Sequence, residues 1–397
     1  MILQRISRLM PKKHSSPHVL FLLDYYAPHQ GGVENVFEHV IEGLLQQGYT
    51  ITLITSRFDP QLAKKETKGW LTIHRVWTGR ISFFFACFSC GMKILRAHPE
   101  IQLIHASTYT SGIPASLLGG RFGKPRILTV HEIFGTLRKR FKPRYSRRLF
   151  QLFEWFTFQV RYEAYHCVSL YTLNSLRMYY WIPDQKLHLV YNGVDTEFWD
   201  AQRVSESERQ AMRRHYWRGD APVALYYGHA GISIGLDFLV EALPVLEEKF
   251  PEMHYVFNLI PSKRTATLKQ RILESSSLEQ AVSPARTVIS WLPKEQLRVL
   301  VACSDVVIAP SLAEGFGSVH SEVCSMGKPL LTTQVAAIPE VVSGEVIFVS
   351  PASSDAIIEG FEKWRTGDFC SLQKKDFSRE KSLAHILLLY SKFLKSQ

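Results

Sequence analysis

One pattern, present once in each half of this chain, limits the folds open to it: a short apolar run, a glycine-bearing turn, then apolar residues at helical spacing. The first copy opens with residues 18–23 (His-Val-Leu-Phe-Leu-Leu) and turns through Pro28, Gly31 and Gly32. Val33, Val36, Phe37, Val40, Ile41, Leu44 and Leu45 then recur every three to four positions until Gly48 ends the helix. Residues 50–55 read as the next strand, which completes a βαβ unit with glycine at its first corner. Further strands are expected at about 101–105, 126–130 and 187–191. A polar stretch from about 196 to 221 interrupts the alternation, which restarts with the strand 223–227. A turn through Gly228, Gly231 and Gly235 follows, then a helix with Leu236, Leu239, Val240, Leu243 and Leu246 on one face. Strands at about 254–259, 286–290, 305–309, 329–333 and 346–349 complete the second half.

Alternation of this kind predicts an α/β chain with parallel, doubly wound sheets. A length of 397 residues exceeds what one hydrophobic core usually serves, so two domains are expected. We place them at 1–200 and 201–377, as two facing Rossmann-like domains with an interdomain cleft. A last helix, about 378–397, carries Leu383, Ile386, Leu387, Tyr390 and Phe393 at helical spacing and is expected to pack back on the first domain.

Composition narrows the class further. Hydrophobic residues make up 46% and charged residues 21%, as in soluble globular proteins. Cysteines at 87, 90, 167, 303, 324 and 370 are too scattered for a disulfide scaffold and fit a reduced, cytoplasmic setting. Cys87 and Cys90 form a lone CxxC inside an aromatic run, which reads as packing rather than zinc or redox chemistry. No stretch reaches the ~20 apolar residues of a membrane span, and no signal-peptide core follows the basic start. Neither glycine turn spells GxGxxG, which leaves a dinucleotide enzyme unsupported.

A net charge of +11 calls for an acidic partner. Arg138, Lys139, Arg140, Lys142, Arg144, Arg147 and Arg148 form one block, directly before Leu149, Phe150, Leu152, Phe153, Trp155, Phe156 and Phe158. Two readings stay open. One is a peripheral contact of 138–158 with an acidic membrane, at the inner face of the cell membrane. The other is a solvated loop before a buried helix. Nucleic acid is not expected, because no recognised binding motif accompanies the charge.

The segment richest in chemistry is Pro310-Ser-Leu-Ala-Glu-Gly-Phe-Gly-Ser-Val-His-Ser-Glu322. It starts at the carboxyl end of a predicted strand, where doubly wound sheets bind ligands. Gly315 and Gly317 permit a tight turn, and a helix beginning near Ser318 is expected to leave backbone N–H groups at 317–319 pointing into the cleft. Glu314 and Glu322 can then face one pocket, where carboxylates accept hydrogen bonds from the paired hydroxyls of a sugar.

This segment resembles the E-x7-E motif of retaining glycosyltransferase family 4, enzymes of the GT-B fold. Other stretches resemble the family in the same order. Pro28-His-Gln-Gly-Gly-Val-Glu34 is similar to its N-terminal glycine loop, and Thr129-Val-His-Glu132 to its His-Asp/Glu pair. Tyr191-Asn-Gly-Val-Asp-Thr-Glu-Phe198 is similar to the element before its linker, and Thr332 to Val342 to its closing donor-side loop. The resemblance implies transfer of a sugar from a UDP- or GDP-sugar to an acceptor hydroxyl, with no metal and no further cofactor. The N-terminal domain would then bind the acceptor and the C-terminal domain the donor.

The resemblance also implies roles. Glu322 would hold the ribose, and Glu314 the donor sugar, as a catalytic residue together with His131. Gly31 and Gly32 would meet the diphosphate. Gly228, His229, Lys263, Phe316, Gly317 and Ser318 would complete the donor site. Glu34 and Glu132 would lie on the acceptor side, where a lipid-linked or polysaccharide glycan is expected. Two slots depart from the pattern: His229 and Ile234 stand where the family has an Arg and a Lys, and Lys263 and Arg264 are candidates to replace that charge. Ala336 and Ala337 also stand where the family prefers glycines. These departures leave open a degenerate, non-catalytic member that acts as a binding or scaffold subunit.

Overall fold

The computed structural model describes residues 16–29, 31–77, 79–133, 144–217, 220–274 and 285–394. The chain divides into two compact units: one runs to Gly193 and takes back the chain from Ser378, and the other is Val194–Phe377.

The first unit holds an eight-stranded sheet: β1 (His18–Leu22), β2 (Thr50–Ser56), β3 (Lys65–Lys68), β4 (Leu71–Val76), β5 (Leu103–Ser107), β6 (Arg126–Val130), β7 (Ala164–Cys167) and β8 (Leu187–Leu189). Its spatial order is β3-β4-β2-β1-β5-β6-β7-β8, parallel except for the edge hairpin β3–β4. Strand order reverses between β1 and β5, which opens a crevice at their carboxyl ends. β1, β5 and β6 are buried along their whole length, with the polar residues His18, His105, Ser107, Arg126 and Thr129 buried among the apolar ones.

The helix Arg379–Tyr390 belongs to this unit. Ala384, Ile386, Leu387 and Tyr390 join the cluster formed by Phe21, Phe37, Ile41 and Leu44. Gly43 allows that approach, because a Cβ there would lie 2.5 Å from Leu383 Cδ2. A buried polar chain ties the helix down. Tyr390 Oη bonds His105 Nδ1, His105 Nε2 meets Thr129 Oγ1 (2.6 Å), Thr129 Oγ1 meets His166 Nδ1 (2.9 Å), and His166 Nε2 meets Val190 O (3.0 Å).

The second unit holds β9 (Val223–Gly228), β10 (His254–Leu259), β11 (Arg286–Ser290), β12 (Val306–Ala309), β13 (Leu330–Thr333), β14 (Gly344–Val349) and β15 (Cys370–Leu372). Their order is β11-β10-β9-β12-β13-β14-β15, parallel except for β15, with the reversal between β9 and β12. Its core gathers Tyr226, Leu239, Leu243, Phe250, Phe257 and Phe361 under the helices Leu236–Lys249 and Ser354–Thr366.

All six cysteines are free, and Cys87 is buried in an apolar cluster with Phe83 and Ile94. No helix among the described residues is long and apolar enough to cross a membrane.

Buried histidines make the fold acid-sensitive. Burial pushes His131 down to about 3, His166 and His320 to about 4, and His105 well below its usual range. Unfolded histidines take up a proton near pH 6.5, so between there and pH 4 the unfolded chain binds more protons. Stability is therefore lost as pH falls through that window, at about 1.4 kcal/mol per tenfold difference in proton affinity. A melting series from pH 7.5 to 4.5 is expected to show Tm falling steadily below pH 6.5. A flat Tm would refute the buried, neutral assignment.

Candidate active site

Chemistry-bearing residues gather in both units at the carboxyl ends of the strands beside the reversals. In the second unit the turn after β9 and the loop after β12 lie side by side, because Leu312 and Ala313 donate their N–H groups to Ser233 O (2.6 and 3.3 Å). Gly235 makes this possible. Its φ is +72°, and a Cβ would fall 2.0 Å from Pro310 O. Gly228, at φ +131°, ends β9 close to Val319 at the start of the helix that follows β12.

That helix is Ser318–Ser325, preceded by Gly317 at φ +90°. A side chain at 317 would collide with His320, whose Nε2 is anchored to Thr332 Oγ1 at 2.9 Å. The first-turn N–H groups of this helix have no intrahelical acceptor. Glu322 lies one turn on, and Tyr227 Oη donates to its Oε2 at 3.0 Å and to Val319 O at 3.4 Å. The tyrosine fixes the direction of the carboxylate.

Glu314 sits on the loop and accepts from Ser311 Oγ at 3.0 Å, while its backbone O accepts from Ala337 N–H at 3.2 Å. Its side chain keeps some surface, yet protein surrounds the carboxylate, and burial raises its pKa to about 7, only partly offset by Ser311. Ala336 has φ +49°, a left-handed conformation that costs a non-glycine residue about 1–2 kcal/mol. The backbone here keeps the shape that a glycine would serve.

The folded Glu314 carboxyl holds its proton between the usual 4.5 and about 7, so its contribution to stability is present below pH 4.5 and lost as pH rises through 7. Glu314→Gln is expected to melt above the wild type at pH 8 and level with it at pH 5. Equal melting at both pH values would show that the carboxylate is not desolvated.

Other donor-side expectations fall out differently. Phe316 is buried and packs edge-on against Phe377, with ring centroids 5.5 Å apart. His229 is exposed, and its backbone O accepts from Tyr226 Oη at 2.7 Å. Ile234 packs against the apolar core instead of standing in for a cation. Arg264 is paired with Asp237, which also holds Arg271 at 3.1 Å, so the two guanidinium groups share one carboxylate. The side chain of Lys263 lies outside the described residues.

In the first unit, Gly31 and Gly32 open the helix Gly32–Gln46 at the carboxyl end of β1. The glutamate at its third position folds back over the turn, so that a Cβ on Gly31 would lie 2.2 Å from Glu34 Oε2. Glu34 also pairs with His29 at 2.8 Å. The Glu34 carboxylate therefore lies against the Gly31 turn, the position expected to meet a diphosphate.

His131 follows β6, its backbone N–H directed at Thr108 Oγ1 (3.4 Å) and its ring edge-on to Phe37 (5.5 Å). Its Nε2 is buried with no hydrogen-bond partner among the described residues, and its low pKa keeps it neutral. A neutral imidazole with a spare nitrogen can bond a hydroxyl, but it carries no positive charge at physiological pH. The backbone O of Glu132 accepts from Tyr109 Oη, which also donates to Glu154 Oε1 at 2.7 Å.

Sequence reasoning missed Tyr109, Glu154 and Tyr227, because each acts through a contact distant in sequence, and it missed Ser311, whose partner Glu314 is only three residues on. It also missed Asp24. This carboxyl follows β1, and burial raises its pKa against hydrogen bonds from Thr110 and Ser111. A polar residue just past the carboxyl end of a strand was the available signal for it.

The helix Arg144–Gln159 is neither wholly buried nor wholly solvated. Glu154, Thr157 and Phe158 face inward, whereas Leu152, Trp155 and Phe156 are about half exposed. Residues 134–143 of the basic block lie outside the described residues, and Arg148 is exposed.

Two Rossmann-like units, each with its polar residues at a strand reversal, make up a GT-B fold. Residues 30–198 match the family profile described as Glycosyltransferase Family 4, and residues 207–380 match that described as Glycosyl transferases group 1. The chain belongs to the family-4 type of glycosyltransferases. It is 21% identical over 360 residues to the GPI3 subunit of phosphatidylinositol N-acetylglucosaminyltransferase from Saccharomyces cerevisiae, covering 87% of this chain and 74% of the relative. It is 24% identical over 267 residues to alpha-maltose-1-phosphate synthase from Mycolicibacterium smegmatis, covering 64% and 65%. In fold it is similar to sucrose-phosphate synthase from Thermosynechococcus elongatus (TM-score 0.75, 17% identity, 95% of this chain and 99% of that one). It is likewise similar to Anabaena HepE in complex with UDP-glucose (TM-score 0.67, 14% identity, 94% of each chain).

Proposed function

We propose that this protein is an active, retaining, metal-independent glycosyltransferase that takes a UDP- or GDP-sugar as donor and an acceptor hydroxyl on a lipid-linked glycan. The observation that carries the reading is the pair Glu314 and Glu322 on one loop and helix, the second held in direction by Tyr227. HepE binds UDP-glucose on a similar fold, and the yeast relative is named for transfer to a phosphatidylinositol; both support the substrate classes.

In this reading Glu322 accepts from the ribose hydroxyls and Glu314 from those of the donor sugar. The acceptor oxygen attacks the anomeric carbon on the face from which the diphosphate departs. The carbon–oxygen bond to phosphate breaks as the new glycosidic bond forms, and the acceptor proton passes to the leaving phosphate. Charge builds on that phosphate, so alignment and hydrogen bonding to it set the rate. Neutral His131 bonds a substrate hydroxyl through its spare Nε2 and positions it. First-turn N–H groups of Ser318–Ser325 and the exposed His229 are the donors best suited to the leaving charge.

The second reading, a non-catalytic subunit, is favoured by Ile234 packed against the core and Arg264 turned to Asp237. A panel of UDP- and GDP-sugars, assayed with and without EDTA, separates the two. Turnover that survives EDTA supports the enzyme; no turnover and no nucleotide-sugar binding across the panel overturns it.

The acceptor class rests on the exposed apolar side chains of two packed helices, Arg144–Gln159 and Leu170–Tyr180. Trp155, Phe156, Met178 and Trp181 are between 43% and 79% exposed, beside a run of arginines and lysines in the sequence. Aromatic side chains next to cationic ones suit the interface of an anionic bilayer. Co-sedimentation with vesicles containing acidic lipid is expected to fall at least tenfold in the double variant Trp155→Asp, Phe156→Asp. Binding indifferent to lipid charge and to these residues would count against a membrane-bound acceptor.

A further inference from the structure

The first unit carries a further cavity, at the strand ends opposite to Gly31 and His131. Beneath the helix Arg80–Ala97, one face of the sheet presents Leu20, Leu22 and Ile54 to an apolar cluster with Phe83, Cys87 and Ile94. Nearer the starts of the same strands, that face changes character. His18, Thr50, Thr52, Thr72 and His74 lie side by side, set by the registers His18↔Thr50, Thr52↔Thr72 and Ile54↔His74. Within this group His18 Nε2 and Thr52 Oγ1 bond each other at 2.9 Å, whereas the half-buried side chains of Thr50 and His74 have no hydrogen-bond partner among the described residues.

They floor a cavity of about 700 Å³, within the size range of small-molecule sites. Its rim is cationic and aromatic. Lys65 comes from β3, Trp70 from the β3–β4 turn, Lys93 from the helix, and His98 and Glu100 from the segment after it. Glu100 is engaged by His98 at 2.9 Å and lies 3.6 Å from His18, whereas neither lysine has an ion-pair partner among the described residues. Trp70 is 65% exposed on a turn that Gly69 makes with φ +57°. His74 is held below its usual pKa by burial and then by Lys65 and His98, as expected beside a positive, partly desolvated surface.

A flat apolar ring beside two uncommitted ammonium groups and a floor of hydroxyls and imidazoles matches one ligand chemistry. The ring covers the C–H face of a pyranose, the ammonium groups take an anion, and the floor hydrogen-bonds the sugar hydroxyls. We propose that this cavity is a second binding site, for an anionic saccharide such as a sugar phosphate or a uronate, with Trp70 stacking on the sugar and Lys65 and Lys93 holding the anion. The site stands independently of the transferase reading.

The test is calorimetric titration of the full chain with glucose 6-phosphate, glucuronate, glucose and inorganic phosphate, each with and without saturating UDP. Glucose 6-phosphate and glucuronate are expected to bind equally well in both conditions, and glucose and phosphate at least tenfold more weakly. Lys93→Ala and Trp70→Ala, both at exposed positions, are expected to weaken glucose 6-phosphate at least tenfold and leave UDP binding and Tm unchanged. Four results would overturn the proposal: no binding, competition by UDP, phosphate binding as tightly as glucose 6-phosphate, or affinities unmoved by both variants.

Discussion

Glu322→Ala is expected to weaken binding of UDP or GDP by about one to two powers of ten, because a carboxylate accepting from hydroxyls is worth roughly 1.5–3 kcal/mol. Titration calorimetry with the free nucleotide reads this directly, without any need for the acceptor. The structure adds a finer expectation through Tyr227, which donates to Glu322 Oε2 at 3.0 Å. Tyr227→Phe leaves the carboxylate in place but frees its direction, so a smaller loss of about three- to tenfold is expected. Unchanged nucleotide affinity in Glu322→Ala would remove the ribose role altogether. A loss in Tyr227→Phe as large as in Glu322→Ala would mean that the tyrosine itself touches the nucleotide.

His131→Ala is expected to lower kcat by about a hundredfold, with nucleotide affinity preserved, since a positioned hydrogen-bonding group commonly contributes that much to a transfer step. His131→Asn, which retains a donor, is expected to recover part of the loss. Burial holds this imidazole neutral down to about pH 3, so it does not titrate between pH 5 and 8. Wild type and His131→Ala should therefore show pH–rate profiles of the same shape. A limb near pH 6.5 that disappears in the variant would show that His131 exchanges a proton in the reaction.

Much of the architecture could be read before any coordinates. The strands at 126–130, 254–259 and 286–290 match β6, β10 and β11 residue for residue, because each centres on β-branched, aliphatic or aromatic residues such as Ile127, Val256 and Val288. The missed strands fail for identifiable reasons. β3 is a polar edge hairpin strand of sequence Lys-Glu-Thr-Lys, while β7 and β15 have only four and three residues. β4 was legible in principle, since Leu71–Val76 alternates buried and half-buried along its length.

The candidate site divides in the same way. Local sequence marks Gly228, Gly235 and Gly317 as turn glycines, and each has a positive φ. It does not reveal that Glu34 folds back onto Gly31, that Arg264 is spent on Asp237, or that Ile234 faces the core. Those outcomes depend on which side chains meet after folding.

The sequence by itself determined the two α/β units, the turn glycines and the carboxylates Glu314 and Glu322 on a loop and helix. Hydrophobic period and backbone conformation are local properties, which neighbouring residues specify. Only the tertiary structure decided the electrostatic state of those groups. Burial, a property of the whole packed unit, holds Glu314 near pKa 7 and His131 neutral, and contacts across the sheet aim Glu322 through Tyr227.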